Sequence, residues 1–370
     1  MQHFLTKPFG GMMKAWSWIL VIIAAIIIKF ASTQSLWVEE NYSNGIYPLI
    51  SKVQRSIFGW IPFSIGDLFY AFLVLVIIFK TIQFIKYIFK KKVNRQYLLN
   101  GLKQVIFFFL FVYVFFYGLW GLNYNRKGIS YQINLEIKKY SLQEIDTLTN
   151  LLQQRLNFYA DTIDLKQRDS FNKKKILFEK ASEAYLYADN LYPFLGYEPQ
   201  SLKPSLFSYL GNYFGFQGYY NPFSGEGQVN TTIPRFLEPF VSAHEVAHQV
   251  GYGKENEANF VAFIACRAYP NPTYRYSMYF DMYLYSVTEL GRKDSMLAKS
   301  YFEKLHPQVK KDIREYKDFL RRYRNPVEPV ISWIYDGYLQ ANDQPEGKRS
   351  YNEVVAFLIA YYKKFGKEAL

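Results

Sequence analysis

Along this chain, apolar residues come first in long unbroken runs and later in short periodic ones. Three runs stand apart: "AWSWILVIIAAIIIKF" at about 15–30, "IPFSIGDLFYAFLVLVIIF" at about 61–79 and "VIFFFLFVYVFFYGLWGL" at about 105–122. Each is close to the roughly twenty residues that span a hydrocarbon core, with aromatic residues near its ends. They predict three transmembrane helices and make residues 1–122 a membrane anchor. The first run is short, holds Lys29 and precedes "ASTQS", features shared with cleaved signal peptides. The distribution of charge favours a retained anchor.

Beyond residue 122 no stretch is long and apolar enough to span. "NYNRKGISYQINL" reads as a linker into an extracytoplasmic domain, 123–370. Ser141 and Glu144 form an S-x-x-E capping box opening a helix, and a second helix at 172–190 is limited by Pro193. "SLFSYLGNYFGFQGYYNPFSGEGQVNTTIP" changes character. Its glycines, alternating aromatics and threonine pair predict short strands and turns. Helical patterns return around 295–305, 310–322, 329–340 and 350–365, the last with a second capping box, Ser350 with Glu353. The fold class read from this is a mainly α membrane protein, its domain mostly helical with one small β-sheet.

The net charge of +13 raises the question of nucleic acid. Its placement answers against it: Lys80, Lys86, Lys90, Lys91, Lys92, Arg95 and Lys103 cluster between the second and third runs. Such a cluster is a topology signal. It puts that segment and the amino terminus, with Lys7 and Lys14, in the cytoplasm. Residues 31–60 and everything after 122 then lie outside, in the periplasm if the membrane is a bacterial inner membrane. The 34 Tyr and 33 Phe exclude a disordered chain. The single cysteine, Cys266, excludes a disulfide framework and reads as a buried small hydrophobe. A transporter would show more spans with polar groups inside them. Asp67 reads as a helix-start carboxylate and His306, before Pro307, as a surface helix end.

The chain holds four histidines, His3, His244, His248 and His306, and two of them fall in "HEVAHQVGYGKENEAN". On a helix, residues four apart stand on one face, so His244 and His248 can point two imidazole nitrogens at one ion. Glu245 lies beside that face, placed to take a proton from a metal-bound water. Two histidines, a third protein ligand and an open fourth position make a catalytic zinc site, one ion per chain. "GYG" is a natural helix stop, after which "KENEANFVAFIACRAY" predicts a second helix. Glu255 and Glu257 are the candidate third ligands, about 200° apart around that helix. Glu255 is favoured because its face continues through the small or short residues Ala258, Asn259, Ala262 and Cys266; Glu257 is the alternative. Asn259 is placed to hydrogen-bond a ligating histidine. Tyr252, Arg275, Tyr276 and Tyr279 are candidate donors to a transition-state oxyanion. The charged residues Glu226, Arg235, Glu238 and Lys254 around the motif place it outside the bilayer.

His244-Glu245-x-x-His248 followed by Glu255-x-x-Ala258-Asn259 resembles the HExxH…ExxA pattern of gluzincin metallopeptidases. That resemblance, over about sixteen residues, implies a zincin-like fold with the first Glu as third ligand. It departs in having Asn259 where some membrane-bound members have Asp, and in a shorter interval from His248 to Glu255. The Gly turn is closer to metzincins, which would need a histidine at Lys254. The resemblance also implies that an edge strand before the motif binds substrate in extended form, and "GEGQVNTTIP", 225–234, is the one strand signal so placed. Taken whole, the chain resembles a bacterial three-span membrane family of unknown function. The function expected is a membrane-anchored zinc metallopeptidase acting on a peptide or protein substrate. The alternative is a non-catalytic, zinc-stabilised envelope scaffold or binding module, which would have no use for Glu245.

Overall fold

A computed structural model of the chain describes residues 15–163, 165–345 and 353–370. His3, Lys7, Lys14 and the Ser350 half of the second capping box lie outside these. The first apolar run is helix α1, Ala15–Ser32. A short turn, Ser35–Trp37, and a π-helical segment, Val38–Ile46, then lead into α2, Tyr47–Phe58. Helix α3, Ile65–Phe89, begins four residues later than the second apolar run because Ser64 caps it, its hydroxyl accepting from the amide of Asp67. It continues past Lys80 and Lys86, well beyond the predicted end at 79. Helix α4, Arg95–Leu119, starts ten residues before its apolar run, capped by Asn94, and ends before 122. Helices α1, α3 and α4 are long and apolar enough to cross a membrane, and their apolar windows bury no residue inside the protein.

The stretch after α4 is not the linker predicted. Asn123, Tyr124, Arg126 and Ile129 are all buried. Arg126 explains why: its guanidinium holds the buried carboxylate of Glu39 through two bonds of 2.9 and 2.6 Å and donates to the Gly251 carbonyl at 3.0 Å. The segment is thereby built into the domain, with only Lys127, Tyr131 and Asn134 of residues 123–135 exposed.

The rest of the chain is mainly helical. Helix α5, Leu142–Thr162, opens with the complete Ser141–Glu144 capping box, and α6 spans Lys174–Asp189. Strand β1, Leu202–Pro204, helix α7, Ser208–Phe214, and strands β2, Gly218–Asn221, and β3, Glu226–Val229, follow. Then come α8, Glu238–Gln249; α9, Glu255–Ala268; α10, Pro272–Lys293; α11, Ser295–Glu303; α12, Pro307–Tyr323; α13, Glu328–Ala341; and α14, Val354–Phe365. Helix α10 was not predicted. Its tyrosines fall on every face and blur the apolar periodicity, yet it packs along α5 at the centre of the main core.

The three strands form one mixed sheet in the order β1-β3-β2, with β1 parallel and β2 antiparallel to β3. The predicted strand at 225–234 is therefore shorter and is the central one, paired on both sides. An extended peptide adds only to an open edge, so β3 is not the substrate strand; among the described residues β1 and β2 are the two edges of the sheet. Asp67 and His306 sit as expected. Asp67 is buried in the first turn of α3, accepting from Tyr219 and the Leu206 amide at 2.7 Å each. His306 caps α12, its Nδ1 accepting from the Gln308 amide.

Candidate metal centre

Helix α8 is buried along nearly its whole length, packed between the sheet, α6, α9 and α10. Small residues on it, Ala243 and Ala247, allow this close packing. The sheet comes closest at β2: a Cβ added at Gly218 would lie 2.2 Å from Oε1 of Glu245. Any side chain there would collide, so the strand edge lies directly against the glutamate.

The end of α8 sets the second histidine. Gly251, at φ +96, turns the chain in a conformation that favours glycine. The turn brings the Tyr252 carbonyl to 2.7 Å from His248 Nδ1. A carbonyl only accepts, so Nδ1 carries a proton and Nε2 is the nitrogen turned inward. Beyond the turn, α9 runs back beside α8, and the amide of Glu255 is capped by the Gln344 side chain at 3.0 Å.

The histidine nitrogens and the first glutamate of α9 converge. His244 Nε2 and His248 Nε2 are 3.1 Å apart, and Oε2 of Glu255 lies 3.2 Å from the first and 3.6 Å from the second. Among the described residues these three form a group whose ligand atoms lie within 4.8 Å of one another, and it could hold a metal ion. Asn259, one turn along α9, is within hydrogen-bonding reach of His244 and of Tyr285. Glu257 faces elsewhere, its carboxyl against the backbone of Gly128.

Charge in this buried pocket is set by the histidines. Burial resists ionisation of Glu255, but the adjacent imidazoles outweigh it and hold the carboxylate well below its usual range. Burial likewise disfavours charge on His248, and Glu255 reverses this, pushing His248 up. Glu245 has no such partner. Burial drives its carboxyl up to about 8, only partly opposed by His248, and its Oε2 has no hydrogen-bond partner. The pocket thus joins a fixed anion, two imidazoles and one carboxyl poised to hold or release a proton.

None of the four predicted oxyanion donors reaches the histidine pair. The Tyr252 hydroxyl donates to Gln132 at 2.6 Å, and this residue contributes its carbonyl instead. Arg275 donates to the Tyr269 carbonyl and the Tyr159 hydroxyl. Tyr276 donates to Asp312, and Tyr279 stacks on Tyr159. The face of α10 bearing them turns toward α5 and α12. The group that does reach the site is Tyr335 of α13, whose hydroxyl donates to Glu255 Oε1 at 2.7 Å. Nothing in the sequence distinguished it from the other tyrosines of a chain rich in them.

The carbonyls at the end of α8 are met by membrane-proximal residues. Trp120 Nε1 donates to the His248 carbonyl at 2.9 Å, and Tyr47 and Ser51 donate to that of Gln249 at 2.8 Å each. These bonds satisfy acceptors that a helix end leaves open. No curated protein and no solved structure matches the chain. One family does, over residues 42–359, a span that takes in the α2 segment, two of the three apolar helices, the sheet and the whole histidine–glutamate cluster. The chain belongs to the family described as "Protein of unknown function (DUF3810)".

Proposed function

We propose that the protein is a membrane-anchored zinc metallopeptidase with its catalytic domain on the extracytoplasmic side. The observation that carries this reading is the convergence of His244, His248 and Glu255 beside an unpartnered Glu245. Ligand atoms about 2.0–2.1 Å from a tetrahedral zinc lie roughly 3.3 Å from one another. Separations of 3.1, 3.2 and 3.6 Å among the three donors fit that ion. Zinc, when bound, would supply a Lewis acid that brings the pKa of a bound water to about 7.

The chain's own groups would do the rest. The outer side of β2 would align a peptide in extended form against Glu245, since main-chain pairing at a sheet edge is the usual way to hold an extended segment. Glu245 would take the proton of the attacking water and return it to the departing amine nitrogen. Tyr252, through its carbonyl, and Asn259 would hold His248 and His244 in orientation. Orientation across the membrane follows from the basic cluster. It lies around the α3–α4 junction, at the ends of two 25-residue helices remote from the domain. That is about 37 Å away along a helix.

Replacing Glu245 by Gln keeps the shape and removes the proton acceptor. Zinc content of the purified full-length protein should stay near one per chain while peptide turnover falls about 10²- to 10⁴-fold. Unchanged turnover would overturn the mechanism, and zinc-free wild-type protein purified without chelators would overturn the site. A periplasm-dependent reporter fused after Leu370 should be active, whereas activity from a fusion at Lys91 would reverse the orientation.

A further inference from the structure

Helix α13 carries the Tyr335 hydroxyl on one side and an uncovered apolar face on the other. Val327, just before it, and Val330, Trp333 and Ile334 within it are exposed, Trp333 by 75%. None of the exposed positions of α13 bears a charge. Scattered exposed hydrophobics are ordinary, but a helix that exposes Val330, Trp333 and Ile334 side by side marks an interaction surface. Helix α7, next to it, adds Tyr209, Leu210 and Tyr213, with Tyr209 exposed by 70%.

What covers this face is fixed by how it is tethered. At one end of α13, Asn342 accepts from Tyr117 of α4 at 3.0 Å, and Tyr338 bonds Tyr124, just past α4, at 3.2 Å. At the other end, Asn325 donates to the Tyr213 carbonyl of α7 at 2.7 Å. The start of α7 is in turn held to α3, through the Leu206 amide and Asp67. The pair therefore bridges the domain-side ends of two helices that fit a bilayer. Arg321, Arg322 and Arg324, all exposed, immediately precede α13. An apolar helix face with a tryptophan and flanking arginines is the composition of a helix lying in a lipid interface.

We infer that the outer face of α7 and α13 docks on the lipid of the domain-side leaflet, placing the His244–His248–Glu255 site at the bilayer surface to receive polypeptide anchored there. Tyr335 links the two faces: it leaves α13 opposite the lipid and bonds Glu255, so the site lies about one helix diameter, ~10 Å, above the interface. The choice of anchored polypeptide as substrate rests on the peptidase reading; the lipid contact does not.

The test uses the full-length protein in nanodiscs of brominated lipid, with Val330→Cys and Ile334→Cys each carrying an environment-sensitive dye. Cys266 is buried and stays unlabelled. Leu75→Cys in the middle of α3 and Met296→Cys on remote α11 are the two references. Quenching at 330 and 334 close to that at 75, with none at 296, is expected. Unquenched dye at 330 and 334 beside quenched dye at 75 would overturn the docking. A dye signal in detergent that then shifts with protein concentration would give the face to a second copy of the chain. In a second measurement, Trp333→Glu should slow cleavage of a lipid-anchored peptide about tenfold more than cleavage of the same peptide free in solution. Equal effects on both would overturn the surface placement of the site. If wild-type protein cleaves neither peptide while the quenching holds, the peptidase reading fails and the lipid contact stands.

Discussion

Two glutamates of α9, two residues apart and both buried, live in opposite electrostatic worlds. Glu255 faces two imidazoles and is driven to ionise. Glu257 has Lys254 and Arg126 near it, but they are already held by Asp343 and Glu39, so burial prevails and pushes the Glu257 carboxyl up to about 7. Cations already bonded to other carboxylates leave a buried acid close to neutral; two imidazoles converging on one carboxylate fix its charge. A helix can therefore carry a charged carboxylate and a nearly neutral one on successive faces, told apart only by what each face meets.

The comparison breaks most severely at the first glutamate. Glu255→Gln should abolish stoichiometric zinc and with it turnover, whereas Glu257→Gln should keep both; elemental analysis showing the reverse would exchange their roles. On the other side, Arg126→Met strands Glu39 without its partner, and loss of one member of a buried pair costs about 3–5 kcal/mol. Urea unfolding should show that loss, and the double variant with Glu39→Gln should recover much of it. A full-sized loss in the double variant would mean that packing, not charge, is what Arg126 supplies.

The titration of Glu257 gives a smaller effect with a definite sign. Its folded-state pKa, about 7, lies above the ordinary carboxyl value near 4.3. The neutral form is therefore favoured by folding, fully so below pH 4, and that contribution is lost as pH rises through 7. Glu257→Gln should match wild-type stability at pH 4 and exceed it at pH 9, by on the order of 2 kcal/mol. A pH-independent difference would show that Glu257 stays ionised. Tyr335→Phe should be mildest, weakening zinc affinity about tenfold by freeing Glu255 to rotate, as loss of a group that orients a ligand does.

The histidine pair, the glycine turn and Glu255 were legible in the sequence because they lie within twelve residues and obey helical spacing. The apolar cores of the three long helices were legible for the same reason: the signal is local. What lay beyond reading is contact between distant segments. Tyr335 reaches Glu255 across eighty residues, and only the strand order shows β3 to be the central strand and β2 an edge. Helix α2 had no sequence signal of its own because its buried face is made of Tyr47, Ser51, Gln54 and Arg55, polar residues that meet backbone carbonyls. No hydrophobic period marks such a face.

That segment bears on how the protein is made. A chain is synthesised amino end first, and its parts can fold as they emerge. Tyr47, Ser51 and Arg55 are translated about two hundred residues before Gln249, whose carbonyl all three hold. Glu226 likewise accepts from the Ile65 and Gly66 amides at the start of α3, a helix made long before it. The early segment must wait, its donors served by water, until the helix it supports arrives. A ribosome halted at residue 220, before Glu226 and Gln249 are made, would leave α2 and the start of α3 without these partners, so protease should cut 35–58 in that nascent chain and spare it in the finished one.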